Sequence, residues 1–195
     1  MLDNPATKER ARRAIQPLVS VLARLGLTPN MLTITGVVLN AGVGAVIAAG
    51  YVQVGGFLLI LTSAFDLLDG ALAKATGKGS KFGAFLDSTL DRYSEAFVLL
   101  GLLWLSVQRN LTADVFLVYI VIVGSLMVSY TRARAEGLGL ECRVGLFGRP
   151  ERIAVLCLGL MLNLLTIALI ILAALTHFTA VQRMVHVRRA TRGRS

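Results

Sequence analysis

Read from its N-terminus, the chain carries apolar runs over roughly 31–50, 54–73, 82–106 and 115–130, followed by a longer one over 153–184. About 20 mostly apolar residues cross a hydrocarbon core, so each of the first four runs predicts one transmembrane helix. The last is too long for one comfortable span and long enough for two short ones, with a turn near Asn163. The pattern therefore predicts an all-α polytopic membrane protein with six transmembrane helices.

Ahead of these runs, Ile15, Leu18, Leu22 and Leu25 recur at helical spacing, while Arg13, Gln16, Ser20 and Arg24 fall largely on another side. This suits an N-terminal amphipathic helix lying in the membrane interface. Pro17 bends or restarts it, because proline removes a backbone donor, and the 27–30 segment breaks the chain before the first span. The expected organisation is an interfacial helix over 1–27, a six-helix catalytic domain over 28–187 and a basic cytoplasmic tail over 188–195. Charges at Asp3, Lys8, Glu9, Arg10, Arg12 and Arg13 precede any useful apolar stretch, so no cleavable signal peptide is expected.

Composition sharpens this picture. Apolar residues make up 55% of the 195 and charged residues only 16%, too greasy for a soluble domain of this size. The formal charge of +9 could suggest nucleic acid, but the cations flank apolar runs and are not interleaved with stacking aromatics, so no nucleic-acid partner is expected. With six spans, 19 of the 20 Lys and Arg share one side and only Arg109 lies opposite. By the positive-inside rule, both termini and the basic loops are expected on the cytoplasmic side of the cell membrane. Cys142 and Cys157 belong to no CxxC or Cys/His ligand pattern and read as reduced thiols.

Four of the 11 acidic residues, Asp66, Asp69, Asp87 and Asp91, fall near the same end of the second and third predicted spans. Ionisable groups inside spans are costly and mark function. Spacings of three and four put each pair on one face of its helix, and the short basic turn between the helices makes them antiparallel neighbours. Four converging carboxylates would repel one another unless cations sat between them. Hard oxygen donors favour Mg2+ or Mn2+ over zinc, for which no Cys or His set exists here. Two other readings remain: a charge network with Lys74, Lys78, Lys81 and Arg92, or a cation transporter. Transport predicts acidic groups spread along a path, whereas these lie at one depth.

The stretch Asp66-x2-Asp69-Gly70-x2-Ala73-Lys74-x8-Gly83-x3-Asp87-x3-Asp91 resembles the signature of the CDP-alcohol phosphotransferase family, D-x2-D-G-x2-A-R-x8-G-x3-D-x3-D. Seven of the eight fixed positions match. Lys74 replaces the arginine, keeping the positive charge while losing the two-pronged donor geometry. The resemblance implies transfer of a phosphatidyl-type group from a CDP-linked lipid to an alcohol, with release of CMP. It implies two divalent ions, one on Asp66 and Asp69, the other on Asp91, with Asp87 bridging and Asp91 also acting as base. It places Asn30, Met31, Leu32, Thr33, Gly70, Lys74 and Ser80 around the CDP-lipid, and it implies a homodimer.

Three later segments, 129–136, 148–152 and 181–183, resemble the phosphatidylinositol phosphate synthase branch of that family and its archaetidylinositol phosphate relatives. That resemblance implies an acceptor-phosphate pocket of Arg132, Arg149, Arg152 and Arg183, and hence inositol 1-phosphate as acceptor and CDP-diacylglycerol or an archaeal ether equivalent as donor. An acceptor that is itself a phosphate monoester needs a second cationic site, and arginine forks match phosphate oxygens. Glycerol 3-phosphate meets the same chemical requirement, so phosphatidylglycerophosphate synthesis is the alternative. Arg134 and Arg143 read as ordinary positive-inside charges.

Overall fold

The computed structural model describes residues 16–192, which are helical wherever they are regular. The chain is helical over 16–24 (α1), then forms α2 (Pro29–Ala48), α3 (Val52–Thr76), α4 (Lys81–Gln108), α5 (Thr112–Gly137), α6 (Arg149–Met161) and α7 (Leu165–Arg192). The first part of the predicted interfacial helix, up to residue 15, lies outside the described residues.

Among the described residues, α2, α3, α5 and α7 are long and apolar enough to cross a membrane. The protein is a multi-pass membrane protein. Helix α4 is long enough at 28 residues, but Asp87, Asp91, Arg92 and Glu95 interrupt its apolar character. Helix α6 has only 13 residues. Large apolar side chains stay outward, as lipid-facing helices require: Val38, Phe57, Trp104, Phe116 and Ile170 are each more than half exposed.

One device ends five of the helices. At Gly26, the Gly26 N–H donates to Ala23 O and the Leu27 N–H to Leu22 O, with Gly26 at φ +74°. This is the Schellman arrangement, in which a left-handed residue lets the last carbonyls find donors. The same pair of bonds recurs at Gly50, Asn110, Gly139 and Asn163. At Asn110 (φ 56°) and Asn163 (φ 57°) an asparagine takes the left-handed position, one of the few side chains that tolerates it. The long apolar run is thus divided at the expected Asn163 turn.

The chain divides into two compact units. Among the described residues, the first comprises 16–42 and 60–97. In it Val19, Leu32, Leu68 and Leu72 bury one another, flanked by Leu22, Ala23, Leu27, Phe65 and Ala71. The packed face of α1 is therefore Val19, Leu22 and Ala23, whereas Leu18 and Leu25 of the expected apolar stripe stay exposed. Deeper in this unit Thr62 donates to Asn40 Oδ1 (3.1 Å) and Asn40 donates to Gly36 O (2.9 Å), so two polar side chains inside apolar helices satisfy each other.

The second unit comprises 43–59 and 98 onward. Its core includes Ile47, Leu99, Leu102, Val118, Val121, Leu160, Leu169 and Leu172. Helices α5 and α7 run parallel, because contacts rise in step along both. Asp114 meets Thr166, Ile120 meets His177, Gly124 lies against Thr176, and Val128 meets Arg183. Small residues permit close approach elsewhere, and a Cβ on Gly101 would collide with the backbone of Gly44. Helix α7 continues unbroken through Arg188 and Arg189 to Arg192, so the residues expected to open a basic tail form its last turn.

Candidate active site

All four aspartates lie in the first unit, Asp66 and Asp69 on α3 and Asp87 and Asp91 on α4. The two helices are joined by a connection of four residues, 77–80. Ser80 starts α4 by accepting the Gly83 N–H on its Oγ (2.9 Å), the usual service of a capping serine. Thr28 does the same for α2, accepting the Met31 N–H at 3.3 Å.

Asp69 is the most enclosed of the four, at 8% exposure. The Thr33 hydroxyl stands 2.8 Å from Asp69 Oδ2, and the Gly70 N–H donates to Oδ1. Together the two bonds fix the carboxylate plane. Asp66 is half-buried against α2: a Cβ built on Gly36 would stand 2.6 Å from Asp66 Oδ1. Gly36 was not singled out in the sequence, where the only trace of it is a small residue one helical turn after Thr33.

Asp87 and Asp91 are also half-buried, and Arg92 Nη1 lies 3.9 Å from Asp91 Oδ2. Among the described residues no three carboxylate, imidazole or thiol groups close around a common point tightly enough to hold a metal ion unaided. The donor chemistry nonetheless fits a hard dication, since the set is made of carboxylates and two hydrogen bonds orient that of Asp69.

Of the residues expected around the nucleotide, Thr33 is buried and committed to Asp69, and Leu32 is part of the apolar cluster. Asn30 and Ser80 come together over Gly83: Asn30 Oδ1 and Ser80 Oγ each lie 3.1 Å from where a Gly83 Cβ would be. A side chain at 83 would therefore crowd both of them. Gly70 differs, because a Cβ there would meet nothing within 4 Å, so packing leaves the space beside Asp69 open. Met31 is exposed, as is Lys74 in the last turn of α3.

The four arginines of the expected acceptor pocket lie in the second unit. Arg152 is 3% exposed and Arg183 7%. Arg183 Nε donates to Val144 O (3.0 Å) and Nη1 donates to Val128 O. Arg132 and Arg152 stand within electrostatic reach of Arg183 and repel it, while Glu136 partly offsets them. Arg132 is exposed and pairs with Glu136 at 2.8 Å. Helix α6 begins at Arg149 after Gly148, with Pro150 in its first turn, where proline's missing N–H costs nothing. Arg143 forms a surface pair with Glu141 (2.7 Å), in keeping with an ordinary surface charge.

The sequence profile of the CDP-alcohol phosphatidyltransferase family matches residues 26–185, and the chain belongs to that family, a family of transferases. Within it the chain is similar to archaetidylinositol phosphate synthase of Methanothermobacter thermautotrophicus, at 38% identity over 90% of this chain and 89% of that one. It is also similar to phosphatidylinositol phosphate synthase of Mycobacteroides abscessus, at 35% identity over 93% of this chain and 87% of that one. The crystal structure of Mycobacterium tuberculosis phosphatidylinositol phosphate synthase with CDP-DAG bound superposes with a TM-score of 0.84 at 34% identity, covering 90% of this chain and 94% of that one. The same enzyme in complex with manganese and citrate gives 0.81, at 34% identity over 88% and 87%.

Proposed function

We propose that this protein transfers the phosphatidyl group of CDP-diacylglycerol, or of an archaeal ether equivalent, to inositol 1-phosphate, giving phosphatidylinositol phosphate and CMP. The observation that carries the acceptor assignment is the burial of two arginines, Arg152 and Arg183, in the same unit, with Arg132 also within electrostatic reach of Arg183. Buried cations at close quarters are relieved by an anion, and a phosphate monoester supplies one with the oxygens that guanidinium forks match. A free alcohol offers no such compensation.

In this reading Asp66 and Asp69 hold one Mg2+ or Mn2+, Asp91 holds a second, and Asp87 contacts both. When bound, such ions polarise the pyrophosphate and neutralise the charge on the departing CMP. Asp91 takes the proton of the acceptor hydroxyl as its oxygen forms a bond to the lipid-side phosphorus and the bond from that phosphorus to CMP breaks. Thr33 keeps the Asp69 carboxylate oriented. Gly70, Asn30, Met31, Leu32, Lys74 and Ser80 accommodate the CDP moiety, and Arg132, Arg149, Arg152 and Arg183 receive the acceptor phosphate.

Helices α4 and α6 complete six spans, with α1 lying in the interface. The active site and both termini face the cytoplasm, and two copies pair as a homodimer. The test is CMP release from CDP-diacylglycerol by the purified protein with Mg2+, comparing inositol 1-phosphate, glycerol 3-phosphate, free inositol and serine. Release with inositol 1-phosphate alone is expected. A preference for glycerol 3-phosphate would retain the carboxylate chemistry and overturn the acceptor assignment.

A further inference from the structure

Between α5 and α6 runs a segment without regular structure, 138–148, that ends at the residue before Arg149. It is attached to α7 through one stripe of that helix. Thr179 Cγ2 lies under Gly145, where a Cβ would come within 2.7 Å of it. Gln182 Oε1 accepts the Leu146 N–H at 3.2 Å. Arg183 Nε donates to Val144 O at 3.0 Å, and His186 Nε2 meets Glu141 O at 3.2 Å. Positions 179, 182, 183 and 186 have the i, i+3, i+4, i+7 spacing of a single helical face.

The three hydrogen bonds of the stripe all go to the segment's backbone. Because a carbonyl oxygen only accepts, His186 must carry its proton on Nε2. Gly145 is held at φ +127°, a conformation that side-chain-bearing residues rarely adopt, so the chain reverses where Thr179 presses on it. Cys142 and Phe147 are buried and help to anchor the same segment. The segment thereby fixes Gly148, the residue from which α6 and its Arg149 and Arg152 start.

We infer that Gln182 and His186 are positioning residues for the acceptor-phosphate subsite, acting through the 138–148 backbone to hold the N-terminus of α6 in place. This rests on the reading of Arg149, Arg152 and Arg183 as the acceptor-phosphate site. Neither side chain need touch substrate. Arg183 has two duties, since its Nε serves the segment and one Nη1 hydrogen serves Val128 O of α5, while its remaining N–H groups stay available to a phosphate.

The experiment compares Gln182→Leu and His186→Ala with the conservative Gln182→Glu, which still accepts from Leu146, and His186→Gln, whose amide still donates to Glu141. Each is assayed for the KM of the acceptor that the wild type uses, the KM of CDP-lipid and kcat. Hydrogen–deuterium exchange of the 140–148 peptides is followed in detergent. The disruptive variants are expected to raise the acceptor KM about tenfold, since losing one such bond loosens the subsite geometry. CDP-lipid KM and kcat should change less than twofold and exchange over 140–148 should quicken, with the conservative variants restoring both. Unchanged exchange would show that the stripe does not hold the segment. Faster exchange with an unchanged acceptor KM, or an equal loss for both substrates, would remove the positioning role. An error in the acceptor's identity appears in the wild type alone, and the exchange measurement is independent of it.

Discussion

The Thr33 hydroxyl on α2 stands 2.8 Å from Oδ2 of Asp69 on α3, joining residues 36 positions apart in the chain. A hydrogen bond to a carboxylate fixes the orientation of the oxygen that remains for another ligand. Removing it with Thr33→Val keeps the volume and deletes the donor. The Mg2+ concentration giving half-maximal activity is expected to rise by about 10-fold, in the range found when a partner of a metal ligand is lost. A Mg2+ titration of CMP release checks this, and an unchanged midpoint would leave the bond a packing detail.

Gly36 presents the complementary case. Any side chain there meets Asp66 Oδ1, which an alanine Cβ would approach to 2.6 Å. Gly36→Ala is expected to displace Asp66 and lower kcat by at least about tenfold, because a ligand moved by a fraction of an ångström no longer shares its metal geometry. The thermal midpoint in detergent should move little. A variant that melts early and keeps its specific activity would contradict this account.

Asp91→Asn retains shape and loses both charge and basicity. Turnover should fall to background while binding of CDP-lipid, followed by calorimetry in detergent, persists. Wild-type-like CMP release from that variant would require another base.

Arg152 is buried within electrostatic reach of Arg183, and on the proposed acceptor site Arg152→Ala would take away a charge-assisted contact to the acceptor. The acceptor KM should rise by about 10- to 100-fold, equivalent to about 1.5–3 kcal/mol for a hydrogen bond to a charged group. The KM for CDP-lipid should stay within twofold. An equal loss in both would place the residue outside the acceptor site.

Away from the aspartates, Asp114 is 4% exposed and accepts the Thr166 hydroxyl at 2.9 Å. Thr166→Val leaves a buried carboxylate short of a donor, and a loss of about 1–3 kcal/mol is expected. Denaturant melts would read this as a lowered midpoint, with kcat at low temperature unaltered.

The helices and the acidic signature were legible because they are written in spacing. Apolar runs of membrane length and aspartates three and four apart carry their geometry with them. Helix ends were less so. Hydropathy marks where lipid stops, whereas α5 continues over Thr131–Gly137 on good helix formers such as Ala133, Arg134, Ala135 and Glu136. The periodicity of α1, read alone, marks Leu18, Leu22 and Leu25 as a stripe for the membrane interface and leaves its protein-packed face unmarked. Contact with Leu32, Leu68 and Leu72 instead selects Val19, Leu22 and Ala23. Glycines that permit contact, Gly36 beside Asp66 and Gly44 beside Gly101, leave no periodic mark. The backbone bonds of Gln182 and His186 were equally hidden, since a segment that is recognised by its carbonyls and amides has no side-chain signature.

The brevity of α6 bears on how two substrates of opposite solubility meet. Thirteen residues rise only about 20 Å, against about 30 Å for a hydrocarbon core. On the six-span reading, with its far end at the opposite surface, α6 stops about 10 Å short of the cytoplasmic plane. On that reading Arg149 and Arg152, in the first turn of α6, lie below the level of the surrounding headgroups. The lipid donor then need not leave its leaflet, and the descent falls to the water-soluble acceptor.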